Sequence, residues 1–167
     1  MILTFIGFSG SGKSHYSNGL KQLYNWDHLD CDQLIIEELN KREKLNLKSL
    51  PEIAHWHGSP NDPDFPRRDA LFLEIENYIM NQVISNINKT KNSVVDTSGS
   101  FVLLPEDTII KFKKNTKLVY FQYEEEDMTQ MIEQYFKDPK PVLWQHLYQP
   151  LPNEDYQKSI RRCYVNM

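Results

Sequence analysis

The stretch Gly7–Ser14, GFSGSGKS, constrains the fold of this chain more than any other part of its sequence. It matches the pattern G-x-x-x-x-G-K-[ST], follows the apolar segment ILTFI and precedes a helical pattern. Glycines permit the backbone dihedrals at which successive N–H groups turn inward around phosphate oxygens. We therefore predict a strand, a phosphate-binding loop and a helix at the N-terminus, in that order.

The loop also predicts a nucleotide cofactor. Lys13 is expected to reach the β- and γ-phosphates, and the Ser14 hydroxyl is expected to help hold Mg²⁺. A guanine-specific site normally carries N-K-x-D, and the nearest match, NKTK at 88–91, lacks the aspartate. ATP with Mg²⁺ is therefore the predicted pair. The residues predicted to bind it are Gly7, Ser9, Gly10, Ser11, Gly12, Lys13, Ser14 and His15.

The rest of the 167-residue chain alternates short apolar runs with longer helical patterns. Further strands are predicted in WDHLDCD, SVVDT and KLVYFQY, each followed by a loop or helix. This alternation is typical of an α/β fold with a mainly parallel sheet and helices on both faces. No linker divides the chain, so residues 1–167 are predicted to form a single domain.

Composition favours a small-molecule substrate. The formal net charge is -4 and the pI is about 5.7, so the chain offers no general basic surface for a nucleic-acid backbone. Mean hydropathy is -0.61 and the apolar runs are too short to cross a bilayer, which predicts a cytoplasmic protein without a membrane partner. The sequence leaves the oligomeric state open.

Two aspartates close the predicted second strand. Asp30 and Asp32 are two residues apart and share a face if the strand continues that far. We expect one of the two carboxylates to hold Mg²⁺, directly or through water, and the other to accept a proton from an acceptor hydroxyl. The alternative is that either aspartate caps the helix that follows.

The third strand ends in VVDTSGS. Asp96 has the form of a carboxylate that binds Mg²⁺ in phosphate-loop proteins, and the small residues Ser98 and Gly99 let a substrate approach the backbone. A tight strand-to-helix turn is the alternative. Upstream, Arg67 and Arg68 could fork around a carboxylate or phosphate, or could be solvated helix charges.

Taken in order, the phosphate loop, DCDQLIIEE, EIAHWHG...FPRR, VVDTSGS and KLVYF resemble the shikimate kinase family of small-molecule kinases, from Ile2 to about Tyr164. The resemblance implies a three-layer P-loop kinase fold, with Asp30 near Mg²⁺ and Asp32 on the acceptor hydroxyl. It also implies a substrate-binding arginine at Arg67 or Arg68 and a substrate-binding insertion around 31–68.

Two further segments acquire roles only from the resemblance. KPVL is similar to the family's R-P-L-L lid motif, which would make Lys140 the residue that covers the transferred phosphate, in a lid around 137–153. SIRRCY is similar to a segment that supplies a second carboxylate-binding arginine, here Arg161 or Arg162.

The sequence departs from the family pattern at three places. Lys140 lacks the bidentate fork of an arginine. The family's glycine triplet is reduced to Ser98-Gly99-Ser100. Family members continue into a fifth strand and a last helix, so strand four is expected at an exposed edge.

The predicted activity is transfer of the ATP γ-phosphoryl group to a hydroxyl of a small, anionic metabolite, with shikimate as the first candidate. Lys13, Asp32 and Lys140 are the predicted catalytic residues. One alternative is an ATP-binding protein without kinase activity. Another is a kinase for a nucleoside, a polynucleotide end or another sugar acid, and the acidic net charge disfavours the polynucleotide.

Overall fold

A computed structural model describes residues 1–123, 125–144 and 147–165, without the side chains of 125 and 126. Residues 145 and 146 of the predicted lid lie outside the described residues. The strands are β1 (Ile2–Gly7), β2 (Asp27–Asp30), β3 (Ser93–Asp96) and β4 (Lys117–Phe121). The helices are α1 (Lys13–Tyr24), α2 (Cys31–Glu43), α3 (Leu50–His57), α4 (Phe65–Asn86), α5 (Glu106–Asn115), α6 (Glu125–Lys137) and α7 (Tyr156–Val165).

The strands form one sheet in the order β2-β3-β1-β4, and every pair is parallel. In the register, Asp96 lies opposite both Phe5 of β1 and Asp30 of β2. Because the strands are parallel, their carboxyl ends meet at one edge, which is where ligands bind in open α/β sheets. The sheet confirms the predicted α/β fold, and β2 and β4 are the edge strands among those that the structure describes.

Two apolar clusters hold the helices in place. The larger one joins the sheet to α2 and α4 through side chains such as Ile35, Leu39 and Ile75, each at most 1% exposed. The second joins α6 and α7 around Trp144, which is 1% exposed. Since Val142 and Leu143 are also buried, the segment just after Lys140 packs into the protein. Burial of such apolar side chains contributes about 1.5 to 3 kcal/mol each.

Two local features differ from the sequence expectation. The second strand does not continue through Asp32, because β2 ends at Asp30 and α2 begins at Cys31. The sequence also predicts a last helix from about Asn153, capped by that residue, but α7 begins at Tyr156, and Asn153 has a φ of 68°, in the left-handed region. No helix in the described ranges is long and apolar enough to cross a membrane.

Candidate active site

The loop between β1 and α1 has the conformation that its glycines predict. Gly7, Gly10 and Gly12 have φ values of 144°, 88° and 97°. A Cβ atom on Gly7 would lie 2.7 Å from the carbonyl oxygen of Phe121, so β4 leaves no room for a side chain there. Helix α1 begins at Lys13, and the N–H groups of its first turn have no partners within the helix. These free N–H groups, at the positive end of the helix dipole, form a site suited to an anion.

Lys13 lies inside the loop. Its side chain is buried, and Nζ donates hydrogen bonds to the carbonyl oxygens of Gly7 and Phe8, at 2.8 and 2.9 Å. Burial lowers the pKa of Lys13, although the nearby carboxylates of Asp96 and Asp32 oppose that effect. The structure thus brings the predicted phosphate-binding cation next to two of the predicted acidic site residues.

Asp96 ends β3 directly beside the loop. Its Oδ2 accepts a hydrogen bond from Ser17 at 2.9 Å and lies 3.7 Å from Nε2 of His28. Burial alone would raise the pKa of Asp96, but interactions with His28, Ser14 and Ser17 outweigh it and hold the pKa below its ordinary value. Asp96 is therefore ionised at neutral pH.

The surroundings of Asp96 fit a magnesium ion. Its Oδ1 is buried and has no hydrogen-bond partner among the described residues, and Ser14 is near enough to affect the pKa of Asp96. Among the described residues, no group of three or more His, Cys, Asp or Glu side chains could hold a metal by itself. That arrangement suits Mg²⁺, which takes one or two protein oxygens and completes its shell with water and substrate phosphates.

Asp30 and Asp32 have different environments. Asp30 is exposed, and its Oδ1 accepts a hydrogen bond from the Gln33 N–H at 3.0 Å, so it caps α2. Asp32 is the second residue of α2. Burial and the charges of Asp30 and Asp96 raise its pKa to about 6. Lys13 and Lys140 act on Asp32 in the opposite direction. The contacts of Asp30 are those of the capping alternative, while Asp32 joins the buried cluster.

The turn after β3 contains a contact that the sequence reading missed. Glu76 of α4 is fully buried, and its carboxylate accepts hydrogen bonds from the hydroxyls of Ser98 and Ser100. Gly99 lies between those serines, against the phosphate loop. The sequence does indicate that Glu76 is buried, because Glu76 lies on the apolar stripe of α4 together with Phe72 and Ile79.

The arginines at the start of α4 make contacts within the surrounding helices. Arg67 is more than half exposed and pairs with Glu43 of α2 at 3.1 Å. Arg68 donates to the Trp56 carbonyl at 2.6 Å, lies over the Trp56 ring and pairs with Asp64. The backbone carbonyl and the ring of one residue thus hold Arg68 against α3.

The arginines of α7 have partners other than those of the α4 arginines. Arg161 lies over the ring of Phe136, with 5.1 Å between the guanidinium carbon and the ring centroid. Arg162 pairs with Glu154 at 2.8 Å, and its hydrogen bond holds the pKa of that carboxyl at about 2. Each of the four candidate arginines thus contacts groups of the protein itself.

Three cavities adjoin the site. A 460 Å³ cavity lies between residues 9–12 of the loop and α6, and Lys140 contributes to its wall. Lys140 also lines a neighbouring 330 Å³ cavity at the end of α3. A 120 Å³ apolar cavity lies between Ser9, the Gly99–Ser100 turn and residues 141–143. No arginine of the described ranges lines any of the three.

His15, the last residue of the predicted nucleotide site, is exposed on α1. Its ring packs edge-on against Tyr16, with 5.4 Å between the ring centroids. It does not belong to the wall of the 460 Å³ cavity, whose loop residues are 9–12. The structure thus separates His15 from the buried part of the predicted site.

Comparison with curated proteins finds relatives named shikimate kinase. That of Caldicellulosiruptor saccharolyticus is 31% identical over 123 residues, which cover 74% of this chain and 57% of the relative. That of Enterococcus faecalis is 23% identical over 140 residues, covering 84% and 70%. The chain therefore spans little more than half the length of the first of these relatives. No family model matches the chain.

Solved structures show the same fold. Shikimate kinase from Acinetobacter baumannii, in complex with shikimate, superposes with a TM-score of 0.61 at 16% identity, over 99% of this chain and 74% of that one. The Bacteroides thetaiotaomicron enzyme gives a TM-score of 0.58 at 16% identity, over 99% and 78%. The curated relatives show the similarity in sequence, and the solved structures show the similarity in fold. The chain is thus similar in sequence to shikimate kinases, and it has the P-loop kinase fold of the solved ones.

Proposed function

We propose that this protein transfers the γ-phosphoryl group of ATP to a hydroxyl group of a small molecule in the cytoplasm, and that shikimate is the first acceptor to test. The observation that carries the proposal is the grouping of Lys13 with Asp96 and Asp32 at the phosphate loop, where Lys13 and Asp96 are buried and Asp32 is partly buried. The names of the relatives and the shikimate complex of the A. baumannii neighbour support the choice of acceptor.

The proposed reaction assigns a step to each member of the cluster. The acceptor oxygen attacks the γ-phosphorus, the bond to the bridging oxygen breaks, and ADP leaves with that electron pair. The hydroxyl proton passes to Asp32, which is ionised at neutral pH and, with a pKa of about 6, more basic than an ordinary aspartate. The ammonium of Lys13 balances charge on the phosphates, and Mg²⁺ bound beside Ser14 and Asp96 would add to that effect.

Two segments are proposed to complete the site. Residues 137–153 would act as a lid, with Lys140 covering the transferred phosphate. Support comes from the position of Lys140 on the walls of two cavities and from its electrostatic effect on Lys13 and Asp32. Residues 31–68 would form the acceptor-binding insertion, since the 330 Å³ cavity that Lys140 shares is bounded by the end of α3.

The placement of the arginines favours testing acceptors other than shikimate as well. Arg67 and Arg162 pair with glutamates, and Arg68 is held by Trp56. A carboxylate on the acceptor would have to draw one of these three from its present partner, or draw Arg161 from the ring of Phe136. Neutral sugars and nucleosides therefore belong in the acceptor panel beside hydroxylated acids.

The deciding experiment measures ADP release from Mg·ATP against that panel, with shikimate included. Lys13→Ala tests the loop, and Lys21→Ala, an exposed lysine of the same helix, is the matched control. We expect acceptor-dependent ADP release from the wild type and Lys21→Ala, and none from Lys13→Ala. ATP binding without stimulation by any acceptor would instead support a nucleotide-binding protein without kinase activity.

A further inference from the structure

A buried hydrogen-bond cluster lies behind the acceptor side of the phosphate loop, and the proposed reaction does not use it. Both carboxylate oxygens of Glu76 are engaged, Oε1 by the hydroxyl of Ser98 and Oε2 by that of Ser100 at 2.5 Å. The two serine oxygens are 3.1 Å apart. A buried hydrogen bond contributes roughly 0.5 to 1.5 kcal/mol, and one to an ionised carboxylate roughly 1.5 to 3 kcal/mol.

The turn that carries these serines is also fixed at its start and its middle. The Thr97 hydroxyl donates to the carbonyl oxygen of Phe5 in β1 at 2.7 Å. At Gly99, an added Cβ atom would lie 3.0 Å from the backbone nitrogen of Ser9. The turn therefore lies between α4, which binds both serine side chains, and the phosphate loop, which contacts Gly99.

The same turn forms part of the wall of the 120 Å³ cavity beside Ser9. In the family pattern that this sequence resembles, the turn is a glycine triplet, and a glycine has no hydroxyl to donate to a carboxylate. The serines of this chain therefore make a contact to α4 that a glycine triplet cannot make. A change in that contact would move both the cavity wall and the neighbouring loop residue.

We infer that Glu76 is a positioning residue, which holds the Ser98–Gly99–Ser100 turn against the phosphate loop and so sets the distance between the acceptor and the transferred phosphate. The kinetic part of this inference rests on the proposed function. The structural part does not, because the contact between the turn and the loop exists without any substrate.

The main test replaces the whole cluster by apolar side chains, in the triple variant Glu76→Leu/Ser98→Ala/Ser100→Ala. Replacing both partners of a buried hydrogen bond by apolar groups is close to neutral for stability, so this variant separates positioning from folding. Glu76→Gln is the conservative variant, because an amide can accept one serine hydroxyl and donate to the other. Glu74→Gln is the matched control, since that side chain is 68% exposed on the same helix.

The first measurement is the rate of amide hydrogen exchange in residues 97–104 and 7–12 without substrates. This rate shows how firmly the turn and the phosphate loop are held. We expect faster exchange in the triple variant and near wild-type exchange in Glu76→Gln and Glu74→Gln. With Mg·ATP and the acceptor, we expect kcat of the triple variant to fall by about 10- to 100-fold, since small misplacements of reacting groups cost that much. We expect the Kd for ATP to change by less than about threefold, because the loop N–H groups and Lys13 still hold the phosphates.

The outcomes separate the two proposals. If the wild type shows no acceptor-dependent ADP release, the proposed function fails, and the exchange data still decide the role of Glu76. If the triple variant keeps wild-type exchange and kcat, Glu76 only fills space and the inference is wrong. If the triple variant does not fold, Ser100→Ala provides the same comparison, with faster exchange at the turn as the expected result and unchanged exchange as the refutation.

Discussion

The buried carboxyl of Glu76 makes the stability of this protein depend on pH in a defined direction. Burial raises its pKa from 4.5 to about 7, against the opposing effect of the hydrogen bonds from Ser100 and Ser98. The folded state therefore holds a proton that the unfolded chain releases between about pH 4.5 and pH 7. This contribution to stability is complete below pH 4.5 and is lost as the pH rises through 7.

The size of the effect follows from the two pKa values. The interval from 4.5 to about 7 corresponds to about 3 kcal/mol of unfolding free energy, at about 1.4 kcal/mol for each pH unit. Between pH 5 and pH 8, roughly 2 to 3 kcal/mol of that amount should be observable. A domain of this size has a total stability of about 5 to 15 kcal/mol, so the change is measurable.

The perturbation is Glu76→Gln, which keeps the shape of the side chain and removes its titration. Urea unfolding of both proteins at pH 5, 6, 7 and 8 gives the free energies, and other titrating groups cancel in the difference. We expect the difference to move in favour of Gln by about 2 to 3 kcal/mol from pH 5 to pH 8. Glu74→Gln should show no such trend. A constant difference between wild type and Glu76→Gln would refute the raised pKa.

The remaining predictions are paired substitutions. Asp30→Ala should cost about 1 kcal/mol of stability, read from thermal melts, and keep most transfer activity, since Asp30 is a helix cap. Asp32→Asn should still bind ATP in a calorimetric titration but should not release ADP. Wild-type ADP release from Asp32→Asn would show that Asp32 is not the base. Gly99→Ala should lower kcat, because its Cβ meets the phosphate loop. Gly19→Ala, which meets nothing within 4 Å inside α1, should add up to about 1 kcal/mol of stability and leave kcat unchanged. Equal kcat in both glycine variants would contradict the contact at Gly99.

The phosphate loop could be predicted from the sequence because its structure is local. Three glycines with positive φ, a strand before them and a helix after them decide the path of the backbone over about ten residues. The parallel sheet followed from the alternation of strand and helix patterns. Neither inference required knowledge of a residue far away in the sequence.

The roles of Asp30 and Asp32 could not be fully predicted, because they depend on where one strand stops. A strand that continued would have placed both carboxylates on one face. Instead the Asp30 side chain accepts the N–H of Gln33, which starts a helix at the next residue and separates the two environments. A boundary error of one or two residues was enough to change the expected role of Asp30.

The arginines show the same limit over longer distances. Arg67 is held by Glu43, 24 residues earlier in the chain, and Arg68 by the backbone carbonyl of Trp56. Resemblance to a family nominates residue types at positions, but these partners are particular to the packing of α2 and α3 here. The resemblance therefore identified candidate arginines without determining what they contact.

The serines and Glu76 form one buried contact, and each side of it depends on the other. A serine hydroxyl buried in this turn without Glu76 would lack its partner, at a cost of about 1 to 3 kcal/mol. Glu76 without the serines would be a buried carboxyl with neither of its hydrogen bonds, which is costly unless it stays protonated. Each side of the contact lowers the free-energy cost of burying the other. Replacing only one side of the contact by apolar residues should therefore destabilise the protein more than replacing both sides.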